Sequence, residues 1–131
     1  MNIGILEDNT TIHEYLKFVL ERAGHAPFFH TDALSLLDGL FPEQSIPHLL
    51  PYDMLIVDLC LPGTLSAFDV IDYLRQTTPP HILPILVVSA ASTRQLGQVR
   101  MRFPDIQVLQ KPCPPKTLLR CIEAIRAGEA P

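Results

Sequence analysis

The chain has no tryptophan, three cysteines, 18% charged residues and no long hydrophobic run. Each shortage excludes something. Cys60, Cys113 and Cys121 are odd in number and match no metal-binding spacing, so reduced thiols are the expectation rather than a disulfide or zinc framework. The longest apolar run, residues 82–91, is half a membrane span and contains Pro84. Acids arrive at Glu7-Asp8, too early for a signal peptide. The expectation is a cytoplasmic chain that does not enter a membrane. Basic residues cluster nowhere beyond Arg94, Arg100 and Arg102, and the net charge is −4, so this segment is not expected to grip nucleic acid directly.

What is present is a hydrophobic content of 47% over 131 residues, enough for one domain with a real core. Thirteen prolines gather in connections: Pro42, Pro47 and Pro51, then Pro79 and Pro80, then Pro112, Pro114 and Pro115. They cut the chain into short pieces of alternating character. Apolar strands are predicted over residues 3–6, 26–30, 54–57, 85–88 and 106–109. Between and after them lie helix patterns.

The clearest helix carries Ile12, Tyr15, Leu16, Val19, Leu20 and Ala23 on one stripe, with Thr11 and Glu14 as a capping box and Gly24 just past its end. Thr31-Asp32 caps a second helix with Leu34, Leu37 and Leu40-Phe41. Ser66 and Asp69 open a third, facing inward through Phe68, Ile71 and Leu74. Ser92 or Thr93 opens a fourth, with Leu96, Val99 and Phe103, and Pro115 a fifth, with Leu118, Cys121-Ile122 and Ile125 and with Gly128 beyond it. Five strand–helix alternations predict an α/β fold, a doubly wound parallel sheet with helices on both faces. The second strand, with Pro27, suits an edge.

In such sheets ligands sit outside the carboxyl ends of the strands. Glu7 and Asp8 follow the first strand, Asp58 the third, Ser89 the fourth and Lys111 the fifth. Three crowded carboxylates repel one another and invite a hard divalent cation such as Mg²⁺. Lys111 adds a point charge and Ser89 a donor that can follow an anion. Cation, ammonium and hydroxyl around one carboxylate suit phosphoryl transfer, with the carboxylate as nucleophile.

These residues carry a resemblance. Ile5-Leu6-Glu7-Asp8, Leu55-Ile56-Val57-Asp58-Leu59-Cys60-Leu61-Pro62-Gly63, Val87-Val88-Ser89-Ala90 and Gln110-Lys111-Pro112 resemble, in this order, the motifs of the receiver domain of bacterial two-component response regulators. The likeness runs over residues 1–131. It implies a flavodoxin-like (βα)5 sandwich with strand order 2-1-3-4-5, and a phosphoacceptor signalling domain rather than a turnover enzyme. Asp58 would accept phosphate from a histidine kinase, a phosphotransfer protein or a small phosphodonor. Glu7, Asp8, Asp58 and the backbone carbonyl of Cys60 would hold Mg²⁺ (or Mn²⁺), Ser89 would move to the phosphoryl group, and Lys111 would bind its oxygens. The resemblance also implies a cis bond before Pro112 and a reporting face of fourth helix, fifth strand and fifth helix, through which relatives form homodimers. A linker to a C-terminal effector domain is expected from about residue 127, a stand-alone receiver being the other arrangement.

Three positions depart from the family. Val108 stands where it has a switch Tyr or Phe, Ala67 takes the place of a Gly one residue late, which predicts a longer loop over the site, and Phe103-Pro104-Asp105 replaces Gly-Ala. They leave one alternative: a degenerate receiver serving as a phosphorylation-independent interaction module. A haloacid dehalogenase-type hydrolase needs a second Asp where Cys60 stands, and a flavodoxin-type cofactor site would be repelled by Glu7-Asp8. The five histidines show no ligand spacing and are expected mostly at the surface.

Overall fold

The computed structural model describes residues 1–41, 50–60 and 66–128. The elements are β1 (Asn2–Leu6), α1 (Thr10–Arg22), β2 (Ala26–His30), α2 (Ala33–Leu40), β3 (Met54–Val57), α3 (Ala67–Thr77), β4 (Ile85–Ser89), α4 (Thr93–Arg102), β5 (Gln107–Gln110) and α5 (Pro115–Arg126). All pairings are parallel and the sheet order is β2-β1-β3-β4-β5, as expected. No helix among the described residues is long and apolar enough to cross a membrane.

Because successive strand side chains point to opposite faces, the three central strands feed two cores. Ile3, Ile5, Met54, Ile56, Leu86 and Val88 pack under α1 and α5 with Leu16, Leu20, Leu118 and Ile122. Leu6, Leu55, Val57, Ile85 and Val87 pack on the other face with Leu36, Ile71, Leu74, Leu96 and Val99 from α2, α3 and α4. Each such side chain contributes roughly 1.5–3 kcal/mol relative to exposure. Burial on both faces is why these strands read as unbroken apolar runs rather than as alternations.

The helix ends obey local chemistry, with corrections. Asn9, not Thr11, caps α1, its side chain accepting from the amides of Thr11 and Ile12; Thr11 lies inside the first turn. At the other end Gly24 has φ +89, and His25 N and Gly24 N bond Leu20 O and Glu21 O, a closure that excludes most L side chains. Asp32 and Ser66 cap α2 and α3, and Ser92 forms a reciprocal capping box with Gln95 on α4. The inward faces of α2 and α3 differ from expectation. Ala33, Leu36 and Leu40 point in while Leu34 is exposed, and Val70 is buried while Phe68 is half-buried against Phe103. A short apolar-rich helix offers several stripes, and the sheet selects one.

The histidines are less exposed than expected. His25 is buried beside the N-terminal amine, and His13 and His30 are half-buried; of the described ones only His81 is exposed. The replacement at Phe103-Pro104-Asp105 also acquires a reason. Asp105 pairs with Arg75 of α3 at 2.9 Å, and Arg75 donates to Leu83 O at 3.0 Å, tying α3, the segment before β4 and the turn before β5 together.

Candidate functional site

Glu7, Asp58, Ser89 and Lys111 come together at the carboxyl ends of β1, β3, β4 and β5, and Asp8 stands exposed beside them. Register explains the convergence: Leu6 pairs with Val57, Val57 with Val87 and Ser89 with Gln110, so Glu7, Asp58 and Lys111 just past their strands and Ser89 at the end of β4 emerge on the same rim. Asp58 N donates to Leu6 O at 3.0 Å and Lys111 N to Ser89 O at 2.9 Å, which continues the ladder into the site and fixes these backbones.

Asp58 is only 5% exposed, so its charge must be met locally. Its Oδ1 accepts from Ser89 Oγ at 2.6 Å and from Cys60 N at 3.0 Å; its Oδ2 accepts from Lys111 Nζ at 3.0 Å. Lys111 Nζ also donates to Glu7 Oε2 at 2.8 Å. Burial works to raise the Asp58 pKa, but the Cys60 amide, the Ser89 hydroxyl, the neighbouring Glu7 carboxyl and the Lys111 ammonium together hold it below the usual carboxylate value. Glu7 goes the other way: burial raises its pKa and the Asp58 charge adds to this, Lys111 offsetting part. Burial works to lower the Lys111 pKa, yet Glu7 and Asp58 hold it above the usual lysine value. The environment therefore keeps Asp58 ionised and lets Glu7 take a proton more readily.

Ser89 is fully buried and already turned to Asp58; its Oγ accepts from Ala91 N at 3.2 Å and Leu59 N at 3.4 Å. The exposed Cys60 sets its thiol 3.8 Å from the same hydroxyl. The Lys111–Pro112 peptide is cis. Val108 lies away from the carboxylates, half-buried against the α4-side core and paired with Val87. The expected longer loop after Pro62-Gly63 lies outside the described residues, as do residues 42–49 of the proline-broken connection from Pro42 to Pro51.

Carboxylate oxygens of Glu7, Asp8 and Asp58 lie within 4.8 Å of one another. One ammonium among three carboxylates leaves two negative charges uncompensated when all are ionised, and an oxygen-only donor set is what a hard divalent ion takes. The residues present thus fit Mg²⁺ or Mn²⁺. Beside the cluster a cavity of about 450 Å³ runs between α1 and the start of α5, its apolar wall formed by Ile12, Tyr15, Leu16 and Leu118, with Asp58 and Lys111 at one end.

Sequence reasoning missed two supports. Asn9 N donates to Glu7 Oε1 at 3.3 Å, and His13, stacked on Phe29, bonds the Glu7 carbonyl through Nε2. The first comes from a main-chain amide and has no sequence signal; the Asn9 side-chain cap of α1 did have one, since Asn directly after the acidic pair is a stronger cap than Thr.

Comparison with known proteins follows this geometry. A family model described as the response regulator receiver domain matches residues 3–123. A putative response regulator from Chloroflexus aurantiacus superposes with a TM-score of 0.79 at 24% identity, covering 96% of this chain and 97% of that one. Chemotaxis protein CheY4 of Vibrio cholerae gives 0.76 at 19%, covering 95% and 97%. An uncharacterized 14.6 kDa protein of Leptolyngbya boryana is 25% identical over 123 residues, 94% of this chain and 88% of that one.

Proposed function

The chain belongs to the response regulator receiver domain family, and we propose that Asp58 is the carboxylate on which it accepts a phosphoryl group. The observation that carries this reading is the state of Asp58: buried, kept ionised, and touched by the ammonium and hydroxyl a transferred phosphoryl group needs. A carboxylate oxygen of Asp58 forms the bond to phosphorus while the bond to the donor's histidine nitrogen, or to the leaving oxygen of a small acyl phosphate, breaks. The product is an acyl phosphate on the protein, and the donor leaves with the electron pair. Lys111, poised 3.0 Å from Asp58, neutralises charge on the phosphoryl oxygens, and the Ser89 hydroxyl donates to one of them. Glu7, Asp8, Asp58 and the carbonyl of Cys60 would hold Mg²⁺ or Mn²⁺, which supplies further charge neutralisation when bound.

The domain is a signalling domain. On this reading its partners are a cytoplasmic histidine kinase or phosphotransfer protein and an output partner or linked effector domain. A phosphorylation-independent module is not favoured, because such a module has no need of a buried ionised acid with both donors in place. Incubating the chain with acetyl phosphate and Mg²⁺ tests the reading by mass spectrometry. One phosphoryl group should appear on the wild type and none on Asp58→Asn. No mass gain, or the same gain in the variant, refutes it.

A further inference from the structure

Side chains two apart along a strand share a face of the sheet. Glu7 therefore falls on the side of Ile3 and Ile5, Asp58 on that of Met54 and Ile56, and Lys111 on that of Leu109. This is the side that packs under α1 and α5. The cavity of about 450 Å³ lies on the same side, and Glu7, Asp58 and Lys111 all line it. Away from them its wall is apolar, with Ile12 and Leu16 from α1, Leu118 from α5 and Cys113 from the turn before α5. Of the lining residues Tyr15, Ala90 and Pro112 are exposed, so the cavity opens at the rim rather than being sealed in the core. The Tyr15 hydroxyl donates to Cys113 O at 3.4 Å and bridges α1 to that turn.

We propose that this cavity receives the apolar leaving group of a small phosphodonor, so that aromatic acyl phosphates are better donors to this chain than acetyl phosphate. The proposal names a substrate class and rests on the reading of Asp58 as the acceptor. An Asp58 carboxylate oxygen bonds to phosphorus as the bond from phosphorus to the acyl oxygen breaks, and the electron pair departs on the aromatic carboxylate. The two halves of such a donor match the two ends of the cavity. Its anionic phosphoryl group meets the Lys111 ammonium beside Asp58, and its ring meets Ile12, Leu16 and Leu118. An apolar cavity of about 150 Å³ is enough to hold a benzene ring. A ring therefore fits here with room for the acyl group, whereas the methyl of acetyl phosphate leaves most of the space unfilled. The ring lies away from the reacting atoms, so its contacts are the same before and during transfer. They lower the half-saturating donor concentration, while the maximal rate follows the leaving group's own chemistry.

The test compares labelling of the full chain by benzoyl phosphate and by acetyl phosphate, each over a range of concentrations with Mg²⁺, followed by mass spectrometry. One methylene in an apolar pocket discriminates by about 10–200-fold, so benzoyl phosphate should reach half-saturation at a concentration lower by about tenfold or more. Ile12→Trp and Cys113→Trp, which fill the cavity from different walls, should each bring the ratio of the two half-saturating concentrations toward one. A binding measurement on the wild type needs no variant to fold. Phenylphosphonate, which has no leaving group to lose, should shift the amides of Tyr15, Leu16, Cys113 and Leu118, and methylphosphonate should shift them far less. Equal half-saturation by the two donors, a ratio unchanged in a folded cavity-filling variant, or equal shifts from the two phosphonates overturns the proposal. If acetyl phosphate labels Asp58 and the ring brings no advantage, the substrate class falls and the acceptor assignment stands. If neither donor labels the wild type, both fall together.

Discussion

Lys111→Met removes the ammonium that lies 2.8 Å from Glu7 and 3.0 Å from Asp58 while keeping most of the apolar stem. The two carboxylates are left with oxygens no more than 4.8 Å apart, and at an effective dielectric constant of about 20 two unit charges at that distance repel by about 3.5 kcal/mol. Their side chains are only 5% and 7% exposed, so water screens little of this. Removing one partner from a buried pair costs about 3–5 kcal/mol in other proteins, in agreement. For 131 residues that corresponds to a fall in melting temperature of roughly 10–15 °C. The pH dependence has a definite sign. Glu7 already has a raised pKa, and losing Lys111 raises it further. A carboxyl whose folded pKa lies above its unfolded value favours the fold at low pH and opposes it as pH rises through the folded pKa. The deficit of the variant is therefore largest near pH 8 and shrinks toward the ordinary glutamate pKa. Added Mg²⁺ should recover part of it at the higher pH, a divalent ion taking over the role of the ammonium. Thermal unfolding followed by circular dichroism at two pH values, with and without Mg²⁺, measures all three effects. A variant that melts with the wild type near pH 8, or whose deficit is equal at both pH values, refutes the crowding argument.

Ser89→Ala removes a 2.6 Å bond to Asp58 and the acceptor for Ala91 N, and should cost about 1–3 kcal/mol. It should still be labelled by acetyl phosphate but show smaller amide shifts in α4 on labelling; full-size shifts would remove Ser89 from the relay. Asp105→Ala strands the Arg75 guanidinium, which is 10% exposed, and should lose about 2–4 kcal/mol in urea unfolding. Arg102→Ala breaks a pair that is 54% and 33% exposed and should lose under about 1 kcal/mol, so equal losses would contradict the burial argument. Gly4→Ala puts a Cβ 2.5 Å from Tyr52 Cδ2 and 2.8 Å from Leu55 Cδ2, where a crowded core costs about 1–3 kcal/mol; an unchanged urea midpoint would show that Tyr52 can move aside.

The strands were readable because burial on both faces removes ambiguity: Met54 to Val57 admits no polar residue, and proline bounds it on each side. The site residues were readable because each stands at or within two residues of the carboxyl end of a strand, and parallel order then brings them to one rim. What escaped was side-chain phase and partnership. Leu34 and Leu36 are equivalent in composition, and only contact with the sheet decides that Leu36 turns in. The pairing of Arg75 with Asp105 spans elements with no local signature, so the turn before β5 read as a bare departure from the family. His25 read as surface because nothing local shows that the chain's own amino group closes over it.

The link between Asp58, the proposed acceptor, and α4 is short enough to follow bond by bond. Ser89 Oγ donates to Asp58 and accepts from Ala91 N, and Ala91 directly precedes Ser92, the residue that caps α4. A phosphoryl group on Asp58 adds a charge of about −1.5 to −2 and new acceptor oxygens. The Ser89 hydroxyl must then either follow those oxygens or give up its acceptor, and either choice acts on the amide of Ala91. Val108 has no hydroxyl to offer this network and packs against the α4-side core. On the proposed reading the coupling would run along main chain 89–92 into α4, whose Ser92–Gln95 capping box is closed in both directions. On this route labelling of Asp58 should shift the backbone amides of Ala91, Ser92 and α4 in nuclear magnetic resonance spectra, and unshifted α4 amides on a fully labelled chain would refute it.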